Sequence, residues 1–349
     1  MTKDKVVVII LSYNGQKYWP DLLPTLALEN YQDFDLEILV VDNNSTDDSV
    51  AYIKNNFPNF KLIALDKNQG FVGGNNVGYY YAKEIGAQYI YLLNQDTIVT
   101  PGFLQPLYEY AKKNKFGTLQ SKINLWPDKD KINTLGNPIH FLGFGYAFKC
   151  GQPDMGHYSI RKINYSSGAG VFINMAALEK LGYLFDDTLF MYLEDLDLGW
   201  SLQILGYDNY LIPDSQIYHK YEFNRTMRSV YWFERNRLWV MLKNYHILTI
   251  LLIWPAWLLM EIGQLFYAYK NNYLLKKIQA YSFIFSYPQW QKLLYYRALV
   301  QKNRQRRDSQ VVRDFSGQIL FQPLNSWALR LANFFFNIYW NLIRLLIVW

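Results

Sequence analysis

Two short polar clusters in this 349-residue chain have the residue types and spacing for chemistry. The first is Asn94-Gln95-Asp96-Thr97, where the apolar, β-prone run Tyr89-Ile90-Tyr91-Leu92-Leu93 stops abruptly. In an open α/β sheet, ligands bind beyond the carboxyl ends of the strands. A carboxylate there can hold a hard cation, and the cation can hold a diphosphate. The competing reading of Asp96 is a plain turn ahead of Pro101-Gly102, since strand ends often carry Asp and Asn for that reason. The second cluster is Glu194-Asp195-Leu196-Asp197, three acids within four positions at a helix start. A carboxylate at a pocket edge can take a proton from a hydroxyl. The same acids can instead complement a helix dipole.

Elements that would position these clusters alternate along the first half. Residues 6–11 form a continuous apolar run, as expected of a strand buried on both faces, and end at Ser12-Tyr13-Asn14-Gly15. A helix through residues 22–28 follows. A second strand at 36–41 ends in Asp42-Asn43-Asn44-Ser45, and a third at 60–65 ends in Asp66-Lys67-Asn68. The glycine-rich stretch 70–78 then leads into a helix and the strand at 89–93. Such βαβ units imply an α/β fold with a mainly parallel sheet, its polar strand ends gathered at one edge. A nicotinamide enzyme is disfavoured, because no G-x-G-x-x-G turn follows the first strand. Residues 119–161 are irregular, and neither His140 nor His157 is assigned a role. A last strand is expected at 207–213, with Ile217-Tyr218-His219 after it.

Charge divides the chain. Residues 1–219 carry 17 Lys/Arg against 24 Asp/Glu, and residues 220–349 carry 18 against 5. A basic half suggests nucleic acid or an anionic membrane. Nothing resembles a nucleic-acid fold, and the aromatic content favours the membrane. Arg297, Lys302, Arg304, Arg306, Arg307 and Arg313 are expected to face anionic lipid headgroups. The run 247–260 is short for a spanning helix and suits an in-plane segment, with a full span through residue 269 as the alternative. From residue 326 to the end, Arg330, Asn333, Asn337, Asn341 and Arg344 recur at helical spacing. That stripe predicts a helix lying in the membrane plane with the stripe toward water, or else an oligomer contact. A single cysteine, Cys150, leaves no intramolecular disulfide and fits a reducing compartment.

Four motifs in register carry a resemblance: Val8-Ile9-Ile10-Leu11-Ser12-Tyr13-Asn14, Val40-Val41-Asp42-Asn43-Asn44-Ser45-Thr46-Asp47, Asn68-Gln69-Gly70-Phe71 with Gly73-Gly74-Asn75, and Leu92-Leu93-Asn94-Gln95-Asp96-Thr97. Together they resemble family 2 glycosyltransferases, and most closely the rhamnosyltransferase-like branch, over residues 5–245. The resemblance implies a GT-A (Rossmann-like) catalytic domain at 1–225 and a helical, membrane-associated, acceptor-side region at 226–349. It implies inverting sugar transfer from a nucleotide-diphosphate donor, dTDP-L-rhamnose first, with UDP-galactofuranose or UDP-GlcNAc as alternatives. The implied acceptor is a polyprenyl-diphosphate-linked saccharide at the cytoplasmic face of the cell membrane, the protein being peripheral or monotopic. A non-catalytic membrane scaffold with a degenerate transferase fold is the other class.

Site roles follow from the same resemblance. Ser12, Tyr13, Asn14, Asp42, Asn44, Asn68, Phe71, Asn75, Asn94, Gln95, Asp96 and Gly168 would meet the nucleotide or donor sugar. For Asp42, an Asx-turn is the alternative. Asn94-Gln95-Asp96 stands where the family carries D-x-D, so Asp96 is the one carboxylate left to hold Mg²⁺ or Mn²⁺, and His219 is a second metal ligand. Asp195 would be the catalytic base and Glu194 the second choice, with Asp197 structural. Arg235 or Arg237 would meet an acceptor phosphate, a salt bridge with Glu234 or Glu222 being the alternative.

Overall fold

The computed structural model describes residues 3–221, 227–321 and 327–349. The position 225/226, where the sequence divides the chain, and Glu222 lie outside the described residues. Ten strands form one sheet: β1 (Asp4–Ser12), β2 (Phe34–Asp42), β3 (Lys61–Ala64), β4 (Tyr89–Asn94), β5 (Thr97–Val99), β6 (Thr118–Leu125), β7 (Ile132–Thr134), β8 (Arg161–Ile163), β9 (Gly170–Asn174) and β10 (Asn209–His219). Their order is β3-β2-β1-β4-β9-β6-β10-β5, with β7 beside β6 and β8 beside β10.

The first four strands run parallel, as the alternating pattern predicts. Their register decides what meets at the edge. Ser12 stands opposite Asp42 and Leu11 opposite Asn94, so three polar strand ends share one level. β9 breaks the parallel run, lying antiparallel to both β4 and β6. At the far edge β5 pairs antiparallel with β10, and His219 stands opposite Thr97, next to Asp96. The strand expected at 207–213 and the segment 217–219 are one element, because a register shift between Ile212 and Gln216 absorbs Pro213. The stretch 119–161 is less irregular than its composition suggests, since β6 occupies its start.

Helices cover both faces. Trp19, Leu22, Leu23 and Leu26 of the helix Trp19–Ala27 pack on Val6, Val8 and Ile10. On the other face Val7 and Ile9 meet Val72, Tyr79 and Ala82 of the helix Gly70–Glu84. That second core does not stop at the sheet. It continues through Trp200 and Trp239 to Trp340, joining the sheet to the C-terminal helices. These helices span Met227–Asn244, Ile247–Lys270, Leu274–Phe285, Tyr287–Lys302 and Trp327–Ile343, with a short turn at Asp308–Val311.

The basic stretch 297–313 turns inward. Arg297 donates to the Leu242 and Tyr245 carbonyls at 2.6 and 2.7 Å. Gln301 donates to Lys243 and Asn244, and Arg304 to Asn244. They satisfy the last carbonyls of the helix Met227–Asn244, which have no partner within the helix. Arg306 pairs with Asp208, and Arg304 also with Asp308 at 2.7 Å. Lipid headgroups are therefore not what occupies Arg297, Arg304 and Arg306; Lys302 and Arg313 are exposed.

The polar stripe of the last helix is also partly taken up inside. Asn333 exchanges two hydrogen bonds with the Ile319 backbone, at 2.8 and 2.9 Å, and Asn337 abuts Gly317. Arg330, Asn341 and Arg344 remain exposed. Phe336, Trp340 and Ile343 pack inward, while Leu331, Phe334, Phe335, Ile338 and Leu342 face out. The helix Ile247–Lys270 is long and apolar enough to cross a membrane. Its Glu261 and Gln264, however, are held by Arg237 and Lys277, while Leu251, Trp254, Leu258, Leu259, Ile262 and Phe266 point away. A bond from the Tyr339 hydroxyl to the Leu252 carbonyl ties the two helices together.

Candidate active site

The loops at the carboxyl ends of β1 and β2 are stitched by side chains. Ser45 N–H and hydroxyl donate to Asp42, at 3.0 and 2.5 Å, and Ser12 donates to it at 3.2 Å. The Asx-turn is thus present, and the buried Asp42 carboxylate organises the loop from behind. Asn14, at φ 50°, accepts from Thr46 N–H. Tyr13 and Gln95 exchange two hydrogen bonds, 2.9 Å from the Tyr13 N–H and 3.1 Å to its carbonyl. Asn44 is exposed at φ 65°, a conformation Asn tolerates better than most residues.

Asn43 ties its loop to the next one. Its amide donates to Asn68 and to the Gly70 carbonyl, and accepts from Gln69 N–H. This holds the turn ahead of the helix Gly70–Glu84. Gly70 sits at φ +75°, and a Cβ there would come 2.5 Å from the Phe190 carbonyl oxygen. Asn75 bonds back to the Phe71 carbonyl within its own helix and does not line the cavity.

A cavity of about 550 Å³ opens at this edge. Tyr13, Asn68, Phe71, Asn94, Gln95 and Asp96 line it, joined by Phe190, Met191 and Tyr192. The last three come from the segment just ahead of Glu194, which the motifs do not mark. Their signal is backbone conformation: Phe190, Tyr192 and Leu193 lie at φ 59°, 69° and 66°. Non-glycine residues adopt this region at a cost, and composition does not announce it.

The helix Glu194–Ile204 follows directly. Asp195 accepts from Gly168 N–H at 3.2 Å and from Leu196 N–H at 2.7 Å. Burial raises its carboxyl to about 6, and those backbone bonds limit the rise. A Cβ at Gly168 would lie 3.4 Å from the Phe71 ring and 3.8 Å from the Asp195 Cβ, so the glycine separates the carboxylate from the cavity wall by one thin layer. Glu194 is buried with Oε2 unpartnered. Burial and the neighbouring Asp195 charge hold it well above the carboxylate range. Asp197 is buried in an ion pair with Lys243 and accepts from Asn244 at 2.9 Å.

On the β10 side, His219 Nε2 lies 3.2 Å from Asp96 Oδ1, and Nδ1 meets Asn133 Oδ1 at 3.2 Å. Asn133 fixes the ring, as the outer partner of a metal-binding imidazole does. Among the described residues no group of three His, Cys, Asp or Glu side chains converges here. One carboxylate and one imidazole suit Mg²⁺ or Mn²⁺ when phosphate oxygens complete the shell.

The two arginines take other roles than phosphate binding. Arg235 is buried and donates to the Thr188 and Leu189 carbonyls, the latter at 2.8 Å. Its guanidinium lies over the Trp232 and Phe283 rings. Burial lowers its pKa to about 10. Arg237 is buried against Glu261 and, at 3.4 Å, Glu234, and donates to the Leu142 carbonyl. With every donor direction turned inward, neither is presented to a ligand.

A mostly parallel sheet ending in this cleft is the GT-A arrangement. The solved structures of GalNAc-T7 with UDP, GalNAc and Mn²⁺ (TM-score 0.54, 14% identity, 68% of this chain and 47% of that one) and of S. aureus TarS 1-349 with UDP (0.52, 18%, 86% and 88%) share the fold. Residues 7–182 match glycosyl transferase family 2, and the chain belongs to that family. Its curated relatives include the low-salt glycan biosynthesis hexosyltransferase Agl10 of Haloferax volcanii, 22% identical over 56% of this chain and 60% of its own length. The N-acetylglucosaminyl-diphospho-decaprenol L-rhamnosyltransferase of Mycobacterium tuberculosis is 23% identical over 62% and 76%. The dTDP-rhamnosyl transferase RfbF of Shigella flexneri is 25% identical over 61% and 68%.

Proposed function

We propose that the protein transfers a sugar, with inversion, from a nucleotide-diphosphate donor to a lipid-linked saccharide at a membrane surface. One observation carries this reading: Asp195, with a pKa of about 6, accepts from the N–H of Gly168, which packs against Phe71 at the wall of a cavity that Asp96 also lines. A carboxylate with that pKa is ionised at neutral pH yet basic enough to take a hydroxyl proton. In this reading Asp195 deprotonates the acceptor hydroxyl as it attacks the anomeric carbon. Burial disfavours ionisation of Glu194 as a competing base. Tyr13, Asn68, Gln95 and Phe71 bind the nucleotide and donor sugar, with Asp42, Asn14 and Asn44 shaping the loop from behind. Asp96 and His219 hold Mg²⁺ or Mn²⁺, and such an ion, when bound, offsets charge on the leaving diphosphate.

dTDP-L-rhamnose is the first donor to test, supported by the names of the mycobacterial and Shigella relatives. UDP-galactofuranose and UDP-GlcNAc are the next. The decaprenol in the mycobacterial relative's name supports a polyprenyl-diphosphate-linked acceptor. Two outward apolar helix faces, tied at Tyr339, support a peripheral or monotopic seat in the plane of the cytoplasmic leaflet. Glu261, pinned at Arg237, speaks against a full crossing by the helix Ile247–Lys270.

Each donor is incubated with the protein, Mn²⁺ and a decaprenyl-diphosphate-linked GlcNAc acceptor, and nucleoside diphosphate release is followed. Release is expected with one donor, to stop with EDTA, and to be lost in Asp195→Asn with the fold intact. If no nucleotide sugar raises the melting temperature and none turns over, the reading fails, leaving a scaffold with a degenerate transferase fold.

A further inference from the structure

The segment 189–193 is an unusual structural element. Three of its non-glycine residues sit at positive φ, a conformation that L side chains adopt at a cost. Within the segment one backbone bond, Met191 N–H to the Leu189 carbonyl at 2.7 Å, supports this conformation. The segment places Phe190, Met191 and Tyr192 in the cavity wall and leads without a break into Glu194-Asp195.

What holds it comes from the helix Met227–Asn244. The buried Asn236 amide lies 2.9 Å from the Leu189 carbonyl, 2.8 Å from that of Met191 and 2.7 Å from that of Tyr192. The two N–H groups of this amide are thus shared among three carbonyls, of which Leu189 also accepts from Met191 N–H at 2.7 Å. The Asn236 carbonyl oxygen accepts from Arg235 Nε at 2.8 Å, which fixes the amide's orientation. Arg235 extends the grip to the Thr188 and Leu189 carbonyls. Two aromatic stacks, Phe190 on Trp232 at 4.7 Å and Tyr192 on Phe233 at 4.4 Å, close the same seam. From the other side, Val72 N–H donates to the Phe190 carbonyl at 3.0 Å.

We infer that Asn236 is a positioning residue for the reaction, holding the 189–193 backbone so that Asp195 meets Gly168 and the cavity keeps its aromatic wall. This rests on the transfer function proposed above. Asn236 touches no substrate; it acts through the loop. Leucine or alanine in its place takes the side-chain donor from the Met191 and Tyr192 carbonyls, and the loop relaxes toward ordinary φ values. A displacement of the base by ~1 Å is enough to lower turnover about 100-fold.

The test compares wild type, Asn236→Ala and Asn236→Ser in the full-length protein. Serine keeps one donor and a small volume, so the fold has a gentler variant if alanine does not express. Hydrogen exchange is read first, on peptides covering 188–196 and, as a control, on β1 and β4. Faster exchange is expected in 188–196 alone, graded from serine to alanine. Turnover of the donor is read next as a function of pH. A loss of about 100-fold in kcat for alanine and less for serine is expected, with the acid limb moved away from its wild-type midpoint as Asp195 loses its backbone partners. A loss of folded protein alone would leave that midpoint in place. Unchanged exchange in 188–196, or a lower rate with an unmoved acid limb, overturns the inference. If the wild type turns over no donor, the functional reading falls while the exchange result still decides whether Asn236 holds the loop.

Discussion

The sheet edge and the C-terminal helices treat polar residues in opposite ways. At the edge, Asn68, Gln95 and Asp96 are short side chains on turns, and the cavity reaches them. In the helical half the long cations that looked available to a phosphate or a lipid are folded back onto the protein. Arg235 and Arg237 satisfy buried loop carbonyls and carboxylates, and Arg297 and Arg304 the carbonyls at a buried helix end. The lesson is one of desolvation. A strand-end turn keeps its polar groups near water by geometry, whereas a helix that packs its end inside needs an internal donor for each orphan carbonyl. A count of positive charge therefore overstates what that half offers to an anionic partner.

That contrast can be broken or sharpened by substitution. The largest effect is expected at the edge: Asp195→Asn lowers transfer by about 10²–10⁴-fold. Its melting temperature at pH 8 should be no lower than wild type, because the substitution removes a carboxylate whose ionised form the site disfavours. A clear loss of stability there would mean that Asp195 is structural.

In the helical half the corresponding change is energetic. Arg237→Met strips a partner from buried Glu261 and is expected to cost about 3–5 kcal/mol in urea unfolding. Glu261 is opposed in its ionisation by burial, but Arg237 and Lys277 hold its pKa down to about 2. A carboxylate depressed in this way contributes stability above its unfolded pKa and loses it as pH falls through the folded one. Wild type should therefore lose this contribution between about pH 4.5 and pH 2, and the variant should lose much less.

A third test uses pH and the rate. Asp195 must be ionised to accept a proton, so turnover is expected to fall about tenfold per unit below its pKa of about 6. A flat profile from pH 7 to pH 5 would remove Asp195 from the role.

The smallest effects separate apolar from charged contact with lipid. Leu258→Glu or Leu342→Glu is expected to weaken co-sedimentation with vesicles roughly tenfold, since each places a charge on an outward apolar face. Arg306→Gln should leave vesicle binding within about twofold and cost about 1 kcal/mol of stability, because its partner is Asp208. The reverse ranking would restore the headgroup reading of the basic stretch.

The strands and the cleft were legible because apolar runs ending in polar turns encode both at once. Residues 6–11, 36–41 and 89–93 lie within β1, β2 and β4. Asp96 and His219 could be paired from motif position alone.

Three things escaped a linear reading. The conformation of 189–193 depends on carbonyl partners that sit more than forty positions away on Asn236. The inward turn of the arginines depends on where helix ends are buried, and periodicity does not report that. The last helix shows the same limit. Its stripe of Arg330, Asn333, Asn337, Asn341 and Arg344 is a true periodic feature, yet only tertiary contact with Gly317 and Ile319 decided that its middle faces protein. Short-range pattern determines which residues share a face, because backbone geometry repeats. What that face meets is set by packing between distant segments, and there the cost of leaving a buried polar group unpaired chooses the partner.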